Sequence, residues 1–495
     1  MRDWQKDAIV YQIFPDRFNI GKGKTVFQKR QDGHYSLPRQ KVKRWDEKPF
    51  PSTDGSHQYD YWGGDLIGVI EKLDYIKELG ANTIYLNPIF WAHTNHKYDT
   101  IDYFTIDSDL GTEEEFKFLL DEAHRKGIRV ILDGVFNHVG TSGRWFNGLR
   151  IFEQPGAEQG NDKYKSYFFN GEKGFRGWMD SDNLIELNLE DRELAQIIYD
   201  GEDSVVSYWL KLGIDGWRLD VAYDLGPRIL KALVHSAKSA RPDSSVIGEI
   251  WNYPGDWPER SGLDGLMNYY FRLVIWEAFN GYISGRDALQ IINDAIVDAG
   301  IEFLSRSWIV LSSHDVPRLR NELGSFERIS AALTLQYCLP GIPLIYYGEE
   351  IGMEGGNDPE NRAPMKWGNI HIERKTLELY RKLISIRQRK LSLRSGDFKP
   401  LISSDGSLVS FKRITGTIDD LVVCVVNPTG NIVRSRIFLQ EGFLMNGTEM
   451  KDMVTGKILK ASFGTISTEL QPYEGLILEP VISRSKTHYT PYKRI

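Results

Sequence analysis

Three apolar segments of the chain each end in a carboxylate, at Asp220, Glu249 and Asp315. Each apolar run predicts a buried parallel strand, and the carboxyl ends of such strands form the active-site face of a (β/α)8 barrel. Arg218 and His314 lie beside these acids in the sequence. Cleavage of a glycosidic bond needs one carboxylate as nucleophile and one carboxylic acid as proton donor. The residue types and their placement therefore indicate a glycosidase-like centre.

The spacing within this set predicts a different role for each acid. Arg218 and Asp220 are two residues apart on a strand, so both side chains point to one face, and the guanidinium favours an ionised nucleophile at Asp220. Glu249 is the expected proton donor; a free Glu titrates near ~4.3, and its pKa has to rise toward ~6 for acid catalysis at pH 7. Asp315 is expected to bind sugar hydroxyls and to help distort the ring.

The surrounding sequence predicts the scaffold that these acids require. Up to about residue 390, apolar strand-like runs alternate with amphipathic helical stretches, and the alternation gives eight strand candidates, the number in a closed (β/α)8 barrel. Strands four, five and seven are expected to end at Asp220, Glu249 and Asp315. The predicted fold is an α/β TIM barrel with a small insertion after strand three and a C-terminal antiparallel β-sandwich. The predicted ranges are 1–137 and 191–392 for the barrel, 138–190 for the insertion, 393–482 for the sandwich and 483–495 for a tail.

Bulk properties exclude several function classes. The 495 residues carry a formal net charge of −7, which argues against a nucleic-acid partner. No segment approaches the ~18–20 apolar residues of a membrane helix, and the opening residues lack an apolar signal core, so we expect a cytoplasmic protein without membrane contact. Cys338 and Cys424 lie in apolar runs and are expected to be buried thiols.

Four motifs at predicted strand ends resemble the signatures of the α-amylase family of glycoside hydrolases. They are DGVFNH at 133–138, GWRLDVA at 216–222, GEIW at 248–251 and SHD at 313–315. Within the family, the sequence is most similar to the cyclomaltodextrinase, neopullulanase and maltogenic amylase group. The stretches that carry this second similarity are YQIFPDRF at 11–18, GGDL at 63–66, NHKYDT at 95–100 and DPENR at 358–362.

The resemblance implies an activity and a set of substrate contacts. It implies a retaining α-glucan hydrolase that cleaves α-1,4 bonds, with α-1,6 bonds left open, in cyclodextrins, maltooligosaccharides or pullulan, together with some transglycosylation. It also implies that Arg218 stands beside the nucleophile and that an aromatic ring stacks on the reactive sugar. The implied substrate-binding residues are Tyr98, His138, Arg218, Trp251, His314, Asp358 and Arg362.

Three departures from the group's pattern bear on specificity. The barrel pattern begins close to Met1, so we expect the group's N-terminal β domain to be missing, the cleft to be more open, and either a monomer or a homodimer. The group's usual Met-Pro-Lys-Leu-Asn stretch is replaced by LIELN at 184–188. The usual Asn-Glu pair after the second signature is Tyr223-Asp224, which is close enough to alter the acceptor side.

No cofactor is expected to be required. Relatives often hold calcium near the first loop, but here Lys22 and Lys24 stand where acids would be expected, so we predict that this site is lost, with an ammonium group in the place of the metal. A second calcium site at Asn137, beside the insertion, stays open.

Three alternative functions compete with this assignment. A 4-α-glucanotransferase remains open, because a sugar can intercept the same covalent intermediate and the three acids do not separate the two reactions. A non-catalytic relative would be favoured by the loss of one acid, and none is lost. A phosphate-handling barrel is disfavoured by the acidic YYGEE stretch at 346–350, which would repel phosphate.

Overall fold

The computed structural model describes residues 3–37, 39–172, 174–370, 373–482 and 492. Its centre is a closed barrel of eight parallel strands, each paired with its neighbours in chain order, with the last strand pairing with the first. This confirms the predicted TIM barrel. The strands are β1 (Val10–Ile13), β2 (Thr83–Leu86), β3 (Arg129–Gly134), β4 (Gly216–Leu219), β5 (Ser245–Ile250), β6 (Gly265–Asn268), β7 (Trp308–Ile309) and β8 (Ile342–Tyr346).

Apolar residues fill the barrel interior and hold its strands together. Val10, Tyr85, Ile131, Ile247 and Met267, from five different strands, belong to one buried cluster. A much larger cluster lies between the strands and the surrounding helices. Burial on both faces explains why the strands read as continuous apolar runs and not as alternating ones.

Helices cover the outside of the barrel and follow the sequence signals closely. The spacing of Thr112 and Glu115 in the sequence predicts a capping box, which forms and opens the helix Glu113–Arg125. The helical spacing over 66–79 is split into two helices at Lys72, and the second ends at Gly80 in a left-handed conformation. The other longer helices are Val205–Leu212, Ala222–Ala240, Tyr269–Phe279, Gly285–Ala299, Ile301–Arg306, Phe326–Cys338 and Arg374–Arg389.

The seventh strand is shorter than predicted. Regular pairing stops at Ile309, whereas the apolar run predicted a strand ending at Asp315. A turn replaces it, in which Ser313 forms an isolated bridge with Val316 and the Ser313 hydroxyl accepts the Asp315 N–H at 3.1 Å. A serine side chain that bonds the backbone in this way competes with the sheet ladder, and the turn displays His314 and Asp315 at the barrel rim.

Two excursions lie on the rim that carries the acids. After β3, the segment His138–Gly140 pairs antiparallel with Leu184–Glu186 and closes the insertion into a small irregular unit. The long polar stretch between β1 and the next barrel helix contains a helix, Val26–Gln31, and a two-stranded pair, Lys41–Val42 with Asp60–Tyr61.

The C-terminal region forms two antiparallel sheets around its own apolar core, as the predicted sandwich requires. The larger sheet has the order β9-β11-β12-β17-β14-β15 and the smaller one β10-β13-β16. The strands are β9 (Asp397–Pro400), β10 (Ile402–Ser403), β11 (Val409–Ile414), β12 (Val422–Val426), β13 (Val433–Phe438), β14 (Glu449–Asp452), β15 (Ile458–Lys460), β16 (Thr465–Leu470) and β17 (Gly475–Pro480).

Several sequence predictions concern this half of the chain. Short apolar runs at 408–414, 421–426, 432–439 and 476–478 predict β11, β12, β13 and β17, but the five shorter or more polar strands were not predicted. Cys338 and Cys424 are free and buried, as predicted. The predicted tail, 483–495, lies outside the described residues except for Tyr492. Across the part of the chain that the structure describes, no helix has the length and apolar character needed to cross a bilayer.

Candidate active site

The barrel brings the three predicted acids to one rim. Asp220 follows β4 directly, Glu249 lies in β5, and Asp315 lies in the turn after β7. A fourth acid, Asp133 on β3, joins them because it is paired in register with Arg218 on β4. Asp133, Arg218, Asp220 and Glu249 are all buried.

One guanidinium group connects three of these carboxylates. Arg218 Nη1 lies 2.8 Å from Asp133 Oδ1 and 2.8 Å from Asp220 Oδ1, and Nη2 lies 2.9 Å from Glu249 Oε2. The Arg218 side chain is only 1% exposed, so solvent screens these contacts very little. The arrangement holds the predicted nucleophile and the predicted proton donor on a single rigid group.

Burial dominates the titration of the acid cluster. It raises the pKa of Asp220 well above its usual range, and the charges of Glu249 and Asp133 add to the rise, although Arg218 acts in the opposite direction. Arg218 therefore favours the ionised form of Asp220, as expected, but burial outweighs one guanidinium shared among three acids. Burial and the charge of Glu249 raise the pKa of Asp315 to about 7. The negative charges of neighbouring acids therefore oppose the ionisation of Asp220 and Asp315.

Glu249 is held by two further donors. The indole Nε1 of Trp251 donates to Glu249 Oε1 at 3.0 Å, and the backbone N–H of Val221 donates to Oε2 at 2.9 Å. Val221 reaches this position with φ 39° and ψ 48°, a left-handed conformation that is strained for a β-branched residue. The Trp251 ring stacks on Tyr269 with centroids 3.8 Å apart and is 46% exposed.

Tyr98 and His314 belong to a hydrogen-bonded chain that ends on Asp133. Gln12 Nε2 lies 2.8 Å from His314 Nδ1, His314 Nε2 lies 2.6 Å from the Tyr98 hydroxyl, and that hydroxyl donates to Asp133 Oδ2 at 2.9 Å. Burial lowers the pKa of His314 well below its usual range, with the charge of Arg362 adding to the effect. A neutral His314 that accepts from Gln12 at Nδ1 keeps its proton on Nε2.

Asp315 connects the acid cluster to the segment beyond β8. Arg362 Nη2 lies 3.6 Å from Asp315 Oδ1, and Arg362 Nη1 lies 3.2 Å from Asp358 Oδ1. Arg362 also donates through Nε to the backbone oxygen of His314 at 3.0 Å. The predicted pair Asp358 and Arg362 therefore lies beside the acids, with Arg362 between the two carboxylates.

His138 lies on the side of the insertion. It is 1% exposed, burial lowers its pKa to about 4, and its ring stacks on Trp178 with centroids 5.2 Å apart. Trp178 in turn donates through Nε1 to Asp224 Oδ2 at 2.7 Å. This contact joins the insertion to the helix that follows the predicted nucleophile, on the side where Tyr223-Asp224 departs from the group's pattern.

Sequence reasoning did not assign several residues of the site. Asp133 was visible only as part of a motif, although its place at a strand end was the same signal that identified the other acids. Two further residues, Tyr85 and Gln12, point into the barrel from its strands, and the Tyr85 hydroxyl donates to Asp133 Oδ2 at 2.5 Å. Their inward direction could not be predicted, because it depends on the register between the strands. Val221 was visible only as part of a motif and Trp178 had no sequence signal, because backbone strain and loop paths are tertiary properties.

The first loop contains a buried ammonium group, but it belongs to a different lysine from those expected. Lys22 and Lys24 are exposed, whereas Lys29 Nζ lies 3.1 Å from Gly63 O, 3.1 Å from Asp65 Oδ2 and 2.9 Å from Asp109 O. Among the described residues, no group of three or more His, Cys, Asp or Glu side chains is placed to hold a metal. Asn137 is buried next to His138, and a calcium site there stays an open alternative.

Comparisons with known proteins agree on one family. The family model described as alpha amylase, catalytic domain, matches residues 12–374. Neopullulanase 2 of Thermoactinomyces vulgaris is 32% identical over 491 residues, which cover 96% of this chain and 78% of the relative. A cyclomaltodextrinase of Thermoanaerobacter pseudethanolicus is 32% identical over 494 residues, with the same two coverages.

A solved structure covers nearly the full length of both chains. The cyclic α-maltosyl-(1→6)-maltose hydrolase of Arthrobacter globiformis, in complex with that sugar, superposes with a TM-score of 0.79 at 28% identity. The alignment covers 96% of this chain and 99% of that protein. The barrel, the insertion and the C-terminal sheets therefore have a counterpart of the same extent.

Proposed function

The chain belongs to the α-amylase family of glycoside hydrolases, and on that premise we propose that it is a retaining α-glucan hydrolase acting through a covalent glycosyl-enzyme. The observation that carries the proposal is the contact of one buried guanidinium, Arg218, with both Asp220 and Glu249. A retaining glycosidase needs its two carboxyl groups only about 5–5.5 Å apart. A shared guanidinium is a direct way to keep two acids at such a short separation.

The proposed first step forms the covalent intermediate. The Asp220 carboxylate attacks the anomeric carbon while the bond from that carbon to the glycosidic oxygen breaks, and protonated Glu249 gives its proton to the departing oxygen. In the second step the Glu249 carboxylate takes a proton from water, and the resulting nucleophile displaces Asp220 from the anomeric carbon. Two inversions restore the α configuration.

The other site residues are proposed to bind and distort the sugar. The Asp315 carboxyl, beside neutral His314 and the Arg362 guanidinium, offers both acceptors and donors to sugar hydroxyls. Tyr98 has its ring fixed by its contacts to Asp133 and His314, as a stacking surface for the reactive sugar would require. His138 and Asp358 complete the proposed set of hydroxyl contacts.

The proposed substrates are cyclodextrins, maltooligosaccharides and pullulan. The relatives named above support this range, as one is called a neopullulanase, another a cyclomaltodextrinase, and the solved one a hydrolase of a sugar with a (1→6) linkage. Cleavage of α-1,4 bonds is the primary proposal, with α-1,6 cleavage as an extension of it.

Some transglycosylation is also proposed, and a 4-α-glucanotransferase is the second candidate. Trp251, two residues beyond the proton donor, is 46% exposed, and Tyr223, three residues beyond the nucleophile, is 58% exposed. Such surfaces can hold an acceptor sugar that competes with water for the glycosyl-enzyme. The hydrolase and the glucanotransferase differ only in whether water or a sugar accepts the glycosyl group.

Product analysis tests the proposal. We expect the protein to release maltose or glucose from β-cyclodextrin and maltotriose, and trisaccharides that retain an α-1,6 bond from pullulan, with the newly formed reducing end appearing first as the α anomer by NMR. Products longer than maltotriose, formed from maltotriose, would measure transfer. Initial release of the β anomer, or no cleavage of any α-glucan, would refute the proposal.

The cytoplasmic location and the monomeric or homodimeric state are carried forward as proposals. Cell fractionation and light scattering after size-exclusion chromatography would test them.

A further inference from the structure

A buried ammonium group belongs to the residue that directly precedes the proposed stacking residue, Tyr98. The Lys97 side chain is 1% exposed, whereas Tyr98 is partly exposed beside the acid cluster. Lys97 Nζ lies 2.8 Å from Asp107 Oδ2, and the Asp107 side chain is 3% exposed. The proposed reaction steps use neither residue, so this buried ion pair still needs an explanation.

The backbone at Lys97 adopts a conformation that lysine rarely takes. Its φ is 64°, in the left-handed region. Such strain persists only where the surrounding contacts hold it in place, and it is common at functional sites. The Lys97 N–H donates to Thr94 Oγ1 at 3.3 Å, and the Tyr98 hydroxyl reaches Asp133 at 2.9 Å. At this strained turn, therefore, the ammonium is buried in the protein while the next side chain extends to the acids.

Asp107 connects the ammonium of Lys97 to other parts of the rim. Its Oδ2 accepts the Ala92 N–H at 3.0 Å, and its Oδ1 accepts the Asp109 N–H at 2.9 Å. The backbone oxygen of Asp109 in turn accepts from Lys29 Nζ at 2.9 Å. The loop that carries Tyr98 is therefore connected, through one carboxylate, to the buried ammonium of the first loop.

Lys97 keeps its charge in this environment. Burial acts to lower the pKa of Lys97, but the negative charges of Asp107 and Asp109 outweigh it, and the net pKa is raised. The ring of Tyr61 lies with its centroid 5.1 Å from Lys97 Nζ and adds a cation–π contact. A buried lysine that stays charged is an electrostatic anchor and not a proton donor for the reaction.

We propose that Lys97 is a positioning residue: its ion pair with Asp107 holds the Tyr98 ring where the reactive sugar stacks, and it affects the reaction only through Tyr98. The inference rests on the proposed function. The Tyr98 hydroxyl is fixed by Asp133 and His314 at one end of the side chain, and Lys97 fixes the backbone at the other. Loss of the ammonium should let the ring move away from the sugar.

A double-mutant cycle on kcat/KM for maltotriose, measured well below the melting temperature, tests the proposal. We expect Lys97→Met to lower kcat/KM at least about tenfold, because small displacements of a positioning group have large effects on rate. In the Tyr98→Ala background, the same replacement should change kcat/KM by no more than about twofold, since no ring is left to position. If Lys97→Met fails to fold, Asp107→Asn replaces it in the cycle.

Lys412→Met is the matched control. Lys412 lies in β11 of the C-terminal sheets, its side chain is 3% exposed, and its Nζ lies 3.0 Å from Glu441 Oε2. Its replacement removes an equally buried ammonium far from the acids in the fold. We expect it to lower the Tm and to leave kcat/KM equal to that of the wild type.

Two results would overturn the inference. One is an unchanged kcat/KM in folded Lys97→Met, and the other is an equal fall caused by Lys97→Met with and without the Tyr98 ring, which a merely structural role predicts. If the wild type cleaves no α-glucan, the proposed function fails, and a crystal structure of Lys97→Met then tests the positioning alone. A Tyr98 hydroxyl displaced from Asp133 and His314 would support it, and an unmoved hydroxyl would reject it.

Discussion

Two aspartates at opposite ends of β4 allow catalysis and stability to be separated in one pair of variants. Asp220 follows the carboxyl end of the strand, and Asp215 precedes its amino end. Both are buried, and both contact guanidinium groups. Conserving shape while removing charge, Asp220→Asn and Asp215→Asn make the same chemical change on the two faces of one barrel.

Asp220→Asn should abolish turnover with the fold intact. The amide oxygen can still accept from Arg218 Nη1, but it cannot form the glycosyl ester, so kcat should fall by at least about 10⁴-fold. Because burial raises the pKa of Asp220, its carboxyl stabilises the fold below its unfolded-state pKa, and that contribution is lost as the pH rises through the folded-state value. Each unit of rise corresponds to about 1.4 kcal/mol. At pH 8 the variant should therefore unfold with a free energy at least equal to the wild type's.

Asp215→Asn should destabilise the fold and leave turnover intact. Asp215 contacts Arg129 at 2.7 Å, Arg241 at 2.8 Å and His124 at 2.7 Å, and its side chain is 1% exposed. Burial raises the pKa of Asp215, but the hydrogen bonds from His124 and the Val130 N–H outweigh it, and the net pKa is lowered. Because the cationic partners of Asp215 are 24% to 37% exposed, its replacement should cost about 1.5–3 kcal/mol, the value of hydrogen bonds to a charged group. Turnover well below the melting temperature should be retained.

The assay is release of reducing sugar from maltotriose at pH 7 and 25 °C, with unfolding in urea followed by circular dichroism. The reasoning is refuted if folded Asp220→Asn keeps even a tenth of the wild-type kcat. It is equally refuted if Asp215→Asn loses kcat as strongly as Asp220→Asn while still folded, since the amino-terminal face of the barrel would then carry catalysis.

Three further outcomes follow from the site and the first loop. Because the pKa of Asp315 is raised to about 7, the folded state binds more protons than the unfolded state between about pH 4 and pH 7, and the free energy of unfolding should fall from pH 5 to pH 8. Urea titrations should show a smaller fall in Asp315→Asn than in the wild type. An equal fall in the two proteins would contradict the assignment. Trp251→Phe keeps an aromatic ring on Tyr269 but removes the hydrogen-bond donor to Glu249. We expect kcat to drop about tenfold and the profile of kcat against pH to shift. An unaltered profile and rate would exclude this positioning role of Trp251. Lys29→Met leaves Asp65 and two backbone oxygens without their cation and should lower the free energy of unfolding by about 3–5 kcal/mol. EDTA should not lower the wild-type Tm. A Tm that falls with EDTA in the wild type but not in Lys29→Met would show a metal at this loop.

Local patterns in the sequence were sufficient for the fold and for the main acids. Strand and helix periodicity depend on nearest neighbours along the chain, so eight apolar runs separated by amphipathic stretches predicted the barrel. The capping box at Thr112 formed as its spacing required. The acids Asp220 and Glu249 were recognisable because the carboxyl end of every barrel strand points to the same rim.

Only the tertiary structure decided how the acids share their partners. The register between β3 and β4 places Asp133 beside Arg218. Burial in the closed barrel raises the pKa of Asp220 by more than the Arg218 guanidinium lowers it. The early end of β7, the strained Val221 and the reach of Trp178 to Asp224 also depend on loop paths and not on periodicity. A sequence pattern records which face a residue occupies, but distances between strands and the exclusion of water arise only when the whole barrel closes.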